Sequence, residues 1–153
     1  MSFVTDPFEW VEEAAGDSRR IFLKVPQRAD ISYAALYEQS GRFASALIQR
    51  GVQAGDRVAV QIDKSPEAVF LYLACLRLGA IFVPINVANT ANEVEYLVRD
   101  SAPKLVVHRP QDRLLIEALA QQAGVGSVES LGVLGDGSFA TLAAQSAAGF
   151  TMH

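Results

Sequence analysis

The sequence predicts an α/β protein: one domain over residues 1–153, with a largely parallel sheet and helices on both faces. Three observations point to it. Strand-sized apolar segments alternate with periodic segments of about 10 to 18 residues, an order that implies right-handed βαβ crossovers. Serine and threonine stand where helices should begin, and glycine where they should end. The most apolar stretch, SPEAVFLYLACLRLGAIFVPIN at residues 65–86, is interrupted by Arg77, Gly79 and Pro84. It therefore reads as helix, turn and strand within a layer covered on two sides, and not as one long span.

The elements follow in order. Ile21 to Val25, a PQRAD turn and the IS before Tyr33 read as a hairpin or two short strands. Ser32 offers an N-cap for a helix from Tyr33 to Arg50, whose Leu36, Phe43 and Leu47 recur at helical spacing, and Gly51 stops it. RVAVQI, Arg57 to Ile62, alternates with Val58, Val60 and Ile62 on one face, which is a strand pattern. Ser65 and Pro66 cap and open the next helix, which Gly79 ends, and its nearly all-round apolarity predicts cover on most sides.

AIFVPI, Ala80 to Ile85, is too short and too β-branched for a helix, so a buried strand is expected there, with Pro84 near its end. Thr90 and Glu93 form a capping box for a helix to about Asp100, with the stripe Ala91, Val94, Leu97 and Val98. KLVVH, Lys104 to His108, is a further strand, and Arg113 to Ala123 a helix stopped by Gly124. A weaker strand over Val128 to Leu131 and a helix over Phe139 to Ala147 complete the pattern.

Composition narrows the function. Half the residues are hydrophobic and 20% are charged, which suits a substantial core and argues against disorder. A formal charge of -4 with scattered Lys and Arg gives no electrostatic case for nucleic acid. Phe8 to Ala15 carries three glutamates and no basic region precedes it, so no targeting signal is read and a cytoplasmic, soluble protein is expected. Cys75 sits in the apolar run and reads as a core residue. His108 and His153 have no metal-ligand spacing with each other or with Cys75, so no metal site is predicted.

Motifs for nucleotide chemistry fail when tested residue by residue. In the run from Gly124 to Ser138, Glu129 stands where a dinucleotide fingerprint needs its third glycine. Gly132 and Gly137 have phosphate-loop spacing, but Ser138 follows in place of lysine, so Asp136 and Gly137 read as a turn. Glu12, Glu13, Glu93 and Glu95 fall at helix ends or exposed faces, where solvation and the helix dipole account for them. No residue is a catalytic candidate on these grounds.

ISYAALYEQSGRFASALIQRGVQAGDRVAVQ, then SPEAVFLYLACLRLGAIFVPIN and NEVEYLVRDSAPKLVV, resemble the opening portion of the acyl-adenylate-forming enzymes, the acyl-CoA synthetases of the AMP-dependent synthetase and ligase family. The tail VESLGVLGDGSFATLAAQSA and the Asn86 to Glu95 segment look most like the malonate-CoA ligase branch. The resemblance implies a two-step reaction. A carboxylate attacks the α-phosphate of ATP with Mg²⁺ present, and the CoA thiol then displaces AMP. The family's lysine-bearing Ser/Thr/Gly-rich loop and mobile C-terminal domain have no counterpart in this sequence, which ends at GFTMH.

By resemblance, then, residues 1–153 are the first subdomain of a longer enzyme and inactive alone. ATP, Mg²⁺ and CoA belong to the parent and none is expected on this chain by itself. Its partners are the remainder of the parent and, within the parent, a small carboxylic acid. The loops after the strands, Asp63 to Ser65, Asn86 to Asn89 and His108 to Pro110, are where substrate would be met. Asn86 and Asn89 are the candidate substrate-channel residues, weighed against simple loop capping. Some relatives carry a basic residue near CoA at the place where this chain has Asn86, Val87 and Ala88. The competing reading is a non-catalytic α/β module that binds a partner, or itself, through an exposed apolar face.

Overall fold

Why helices sit where they do is settled largely by their ends. The computed structural model describes residues 9, 11, 13 and 16–149. β1 (Ile21–Leu23) and β2 (Ile31–Ser32) form a small antiparallel pair. Ser32 then accepts a hydrogen bond from the Ala35 amide at 3.1 Å and opens α1 (Tyr33–Gln49). Gly51, at φ 76, takes the left-handed turn just past its end that a residue with Cβ resists. β3 (Arg57–Gln61) leads to α2 (Pro66–Leu78), capped by Ser65 and ended by Gly79 at φ 74.

β4 (Ile81–Pro84), α3 (Ala91–Ser101), β5 (Leu105–His108), a 3-10 turn over Pro110–Asp112, α4 (Arg113–Gln122), β6 (Val128–Ser130) and α5 (Ser138–Ala144) complete the chain. Both halves of the Thr90/Glu93 capping box form at the start of α3. The hydrogen bonds from Thr90 hold the Glu93 carboxyl below its ordinary value. Of the expected α3 stripe, Val94 and Val98 are buried, Leu97 is half-buried and Ala91 is exposed. Glu13 is exposed, and Glu12 lies outside the described residues.

Strands β3 to β6 make one parallel sheet in the order β4-β3-β5-β6. Its two faces bury different sets. Val58, Val60, Leu105 and Val107 pack with α1, α2 and α5, while Ala59, Val106 and Ile85 pack with α3 and α4. Helices cover both faces. β3 is therefore buried on both sides, and its alternation records large residues toward one layer against Ala59 and Gln61 toward the other.

β4 corrects an expectation: it is the edge strand and not a buried one, with Ile81 47% exposed. An apolar run cannot reveal how many strands flank it. Ile81 and Ile85 donate inward to Asp56 and Val60, both at 2.8 Å. The period of two then turns the amide positions of Phe82 and Pro84 outward. Proline's missing donor thus falls on the unpaired side, which blunts the edge.

α2 holds two buried charged residues that its apolar pattern concealed. Glu67 receives Arg28 at 2.7 and 3.1 Å. Arg77 donates to Tyr37 O and Ser40 Oγ, both at 2.9 Å, with its guanidinium 4.5 Å from the Tyr37 ring centroid. After α5 the chain crosses α1, where Arg42 donates to Ser146 O at 2.7 Å and Ser45 to Ala147 O at 2.9 Å. Gly41 lies beneath that crossing, and a Cβ there would stand 2.1 Å from Ala148 O. Among the described residues no helix is long and apolar enough to cross a membrane.

Candidate functional site

In an open parallel sheet, ligands are met beyond the carboxyl ends of the strands, above all where the strand order reverses. Here α2 carries the chain from β3 outward to β4 on one face, and α4 carries it from β5 outward to β6 on the other. The reversal lies between β3 and β5. The protein fills that crevice with its own charges. Arg109 reaches Asp112 at 2.6 Å and Asp63 at 3.6 Å, and these two carboxylates, Asp112 foremost, raise its guanidinium above the ordinary value.

A triphosphate with Mg²⁺ needs backbone donors, a lysine and free carboxylates around it. In the crevice neither carboxylate is free, since Asp63 and Asp112 both turn onto Arg109. As arranged, these two carboxylates do not fit such a group. Among the described residues there is also no cluster of three His, Cys, Asp or Glu side chains able to hold a metal ion. Cys75 lies away from the rim, fully buried in α2, and burial pushes its thiol up to about 12.

A groove of about 640 Å³ opens beside the crevice, lined by Ile62, Asp63, Lys64, Pro84, Ile85 and Asn86 together with Val87. Asn86 is thus on its wall. Its Oδ1 accepts from the Ala88 amide at 2.9 Å, and its carbonyl accepts from the Asn89 amide at 3.1 Å. This is the capping role that an asparagine plays in a turn. Asn89 shares the turn but lines a separate hollow of about 340 Å³ with Asn92, Glu93, Tyr96 and Leu97. The structure therefore places the two candidates in one turn and against two different surfaces.

Sequence reasoning did not single out Gln61 or Arg109. Gln61, 4% exposed, ends β3 and donates through Nε2 to Asn86 O at 3.0 Å. Its own carbonyl accepts from the Arg109 amide at 3.1 Å, and Arg109 O lies 2.7 Å from His108 Nδ1. A carbonyl only accepts, so Nδ1 carries the proton. His108 O in turn accepts from the Leu131 amide at 2.9 Å. One run of hydrogen bonds thus joins the carboxyl ends of β4, β3, β5 and β6. The available signal was a single amide side chain in a strand that is apolar from Val58 to Val60.

The turn after β6 is equally well defined. Gly132 N donates to Asp136 O at 2.8 Å, and Gly137 sits at φ 104 where a Cβ would stand 2.4 Å from Ser130 O. Glu129 is buried against Arg50 and Ser138 and joins β6, the end of α1 and the start of α5. These groups hold the layers together.

Comparison with known proteins agrees with that architecture. Residues 9–150 match the family of AMP-binding enzymes. The chain superposes on apo MatB from Rhodopseudomonas palustris with a TM-score of 0.90 and 38% identity, over 97% of this chain and 29% of MatB. For the ATP-bound form of the same protein the values are 0.89 and 39%, over 95% and 29%. It is 32% identical over 115 residues to a long-chain-fatty-acid-CoA ligase of Mycobacterium tuberculosis, covering 74% of this chain and 23% of that relative. The chain therefore spans under a third of the length of these proteins. Its fold is that of the N-terminal domain of the adenylate-forming enzymes.

Proposed function

Because the chain belongs to the AMP-binding enzyme family, we propose that it is the N-terminal support layer of an ATP-dependent acid-thiol ligase. That ligase joins a carboxylate to CoA in two steps. The acid oxygen attacks the α-phosphate of ATP and expels pyrophosphate; the CoA sulfur then attacks the acyl carbon and expels AMP. Adenylation turns a poor oxygen leaving group into a good one, with Mg²⁺ offsetting the phosphate charge. The observation that carries this reading is the match over residues 9–150, joined to superposition on MatB over 97% of the chain.

Within such a ligase this unit contributes walls, not chemistry. Its switch-point crevice is filled by Arg109, Asp63 and Asp112, and the triphosphate is assigned to other parts of the enzyme. Asn86, on the groove, and Asn89, in the same turn, are the residues we assign to the acyl or CoA channel. Malonate is the acid to test first, on the likeness of residues 86–95 and 128–147 to that branch and the 38% identity with MatB. The cytoplasm is the compartment this reading takes.

Incubation with ATP, Mg²⁺, malonate and hydroxylamine tests it. The 153-residue chain should yield neither hydroxamate nor AMP, whereas a ligase containing this unit should yield both. Turnover by the chain alone would defeat the support role. A second reading, a non-catalytic partner-binding module, draws on Tyr96 and Leu114, which are 67% and 83% exposed on α3 and α4. Sedimentation that stays monomeric across concentrations, alone and with the rest of the ligase, counts against it.

A further inference from the structure

We propose that Gln61 is a positioning residue that fixes the Asn86–Asn89 turn against the carboxyl rim of the sheet. Burying an amide is costly unless it is hydrogen-bonded, and the layer that Gln61 faces is otherwise aliphatic: Ala59, Ile85, Val94, Val98, Val106 and Ile116. An apolar side chain at this place would pack without that cost. Nor is Gln61 needed to rescue a buried acceptor. Asn86 is exposed, and its carbonyl already accepts from the Asn89 amide at 3.1 Å, so water could meet its second lone pair.

What the Gln61 bond at 3.0 Å supplies is therefore geometry. It ties an exposed loop on an edge strand to the adjacent inner strand, beyond the last β3–β4 ladder pair at Val60 and Pro84. The backbone tie nearest to it is Ile85 N to Val60 O at 2.8 Å, one residue before Asn86. With Gln61 anchored through its carbonyl to Arg109 N at 3.1 Å, the turn bearing Asn86 inherits the register of the sheet interior. Gln61 acts through Asn86 and touches no reacting group.

Amide exchange measured by NMR on the 153-residue chain tests this. In the unmodified protein the Gln61 side-chain amide is protected, and the Ala88 and Asn89 amides, which close onto Asn86, exchange slowly. Gln61→Met keeps length and apolar bulk and removes the donor. Ala88 and Asn89 should then exchange about tenfold faster, while Leu73 and Ala74 in α2 keep their rates. Unchanged Ala88 and Asn89 rates in folded Gln61→Met overturn the proposal. If that variant does not fold, a Gln61 side-chain amide exchanging at the free rate in the unmodified protein overturns it equally. The value of this turn to a substrate rests on the ligase reading. Because exchange and turnover are separate readouts, failure of that reading and failure of the Gln61 role are distinguishable.

Discussion

The two helical layers are built on different plans. The layer of α1, α2 and α5 is held by ties between residues far apart in sequence: Arg28 with Glu67 across 39 positions, Arg77 with Ser40 across 37, and Arg42 with Ser146 across 104. It also stacks Phe139, Phe43 and Phe70 edge to face at 5.2 and 5.8 Å. The layer of α3 and α4 buries aliphatic side chains, and its polar bonds are local: Thr90 with Glu93, Glu95 with Arg99, Arg113 with Glu117. The polar ties of the first layer thus join distant elements, whereas those of the second stay within one helix and its cap.

The largest effect that can break this contrast is at the aromatic stack. Phe139→Ala, at a side chain with no exposure, should cost about 4 kcal/mol and be read as a lower denaturant midpoint. A loss no larger than that of an aliphatic truncation at Ile116 would erase the distinction. Next comes Arg28→Met, which leaves Glu67, 5% exposed, without its cation and should cost about 3 kcal/mol. Faster proteolysis near Val133, whose carbonyl Arg28 also holds at 2.9 Å, checks where the damage lies.

The smallest effect, within the first pH unit above the unfolded value, is alkaline and comes from Cys75. Its folded thiol is pushed from an ordinary 9.0 up to about 12 by burial. Between those values the unfolded chain releases a proton that the folded chain keeps. Stability from this group is thus complete below the unfolded value and declines as pH rises toward the folded one, by about 1.4 kcal/mol per pH unit. Denaturant midpoints taken on either side of the unfolded value should converge in Cys75→Ala relative to the wild type. An identical alkaline decline in both proteins would remove Cys75 from the account.

The contrast between layers also decides what could be read in advance. Ser32, Ser65, Thr90, Gly51 and Gly79 act within a few residues of themselves, so the helix boundaries were legible. Whether β4 lies inside the sheet or on its edge depends on strands elsewhere in the chain, and four residues of apolar pattern are silent on it. The burial of Glu67 and Arg77 was hidden for the same reason, because their partners Arg28, Tyr37 and Ser40 belong to other elements. At the candidate site the turn around Asn86 was legible from its asparagines, but the hydrogen bond from Gln61 spans 25 positions and was not.

The crossing of α1 by residues 146–148 has a consequence for how the protein is made. Arg42 precedes its acceptor by 104 positions. At ribosomal speeds of about 5–20 residues per second, α1 therefore emerges roughly 5 to 20 s before the segment that seals it. Throughout that interval the nascent helix leaves Gly41 and its neighbouring apolar stripe uncovered, and a chaperone that shields such a stripe has its opportunity then, before the last few residues of the crossing are translated.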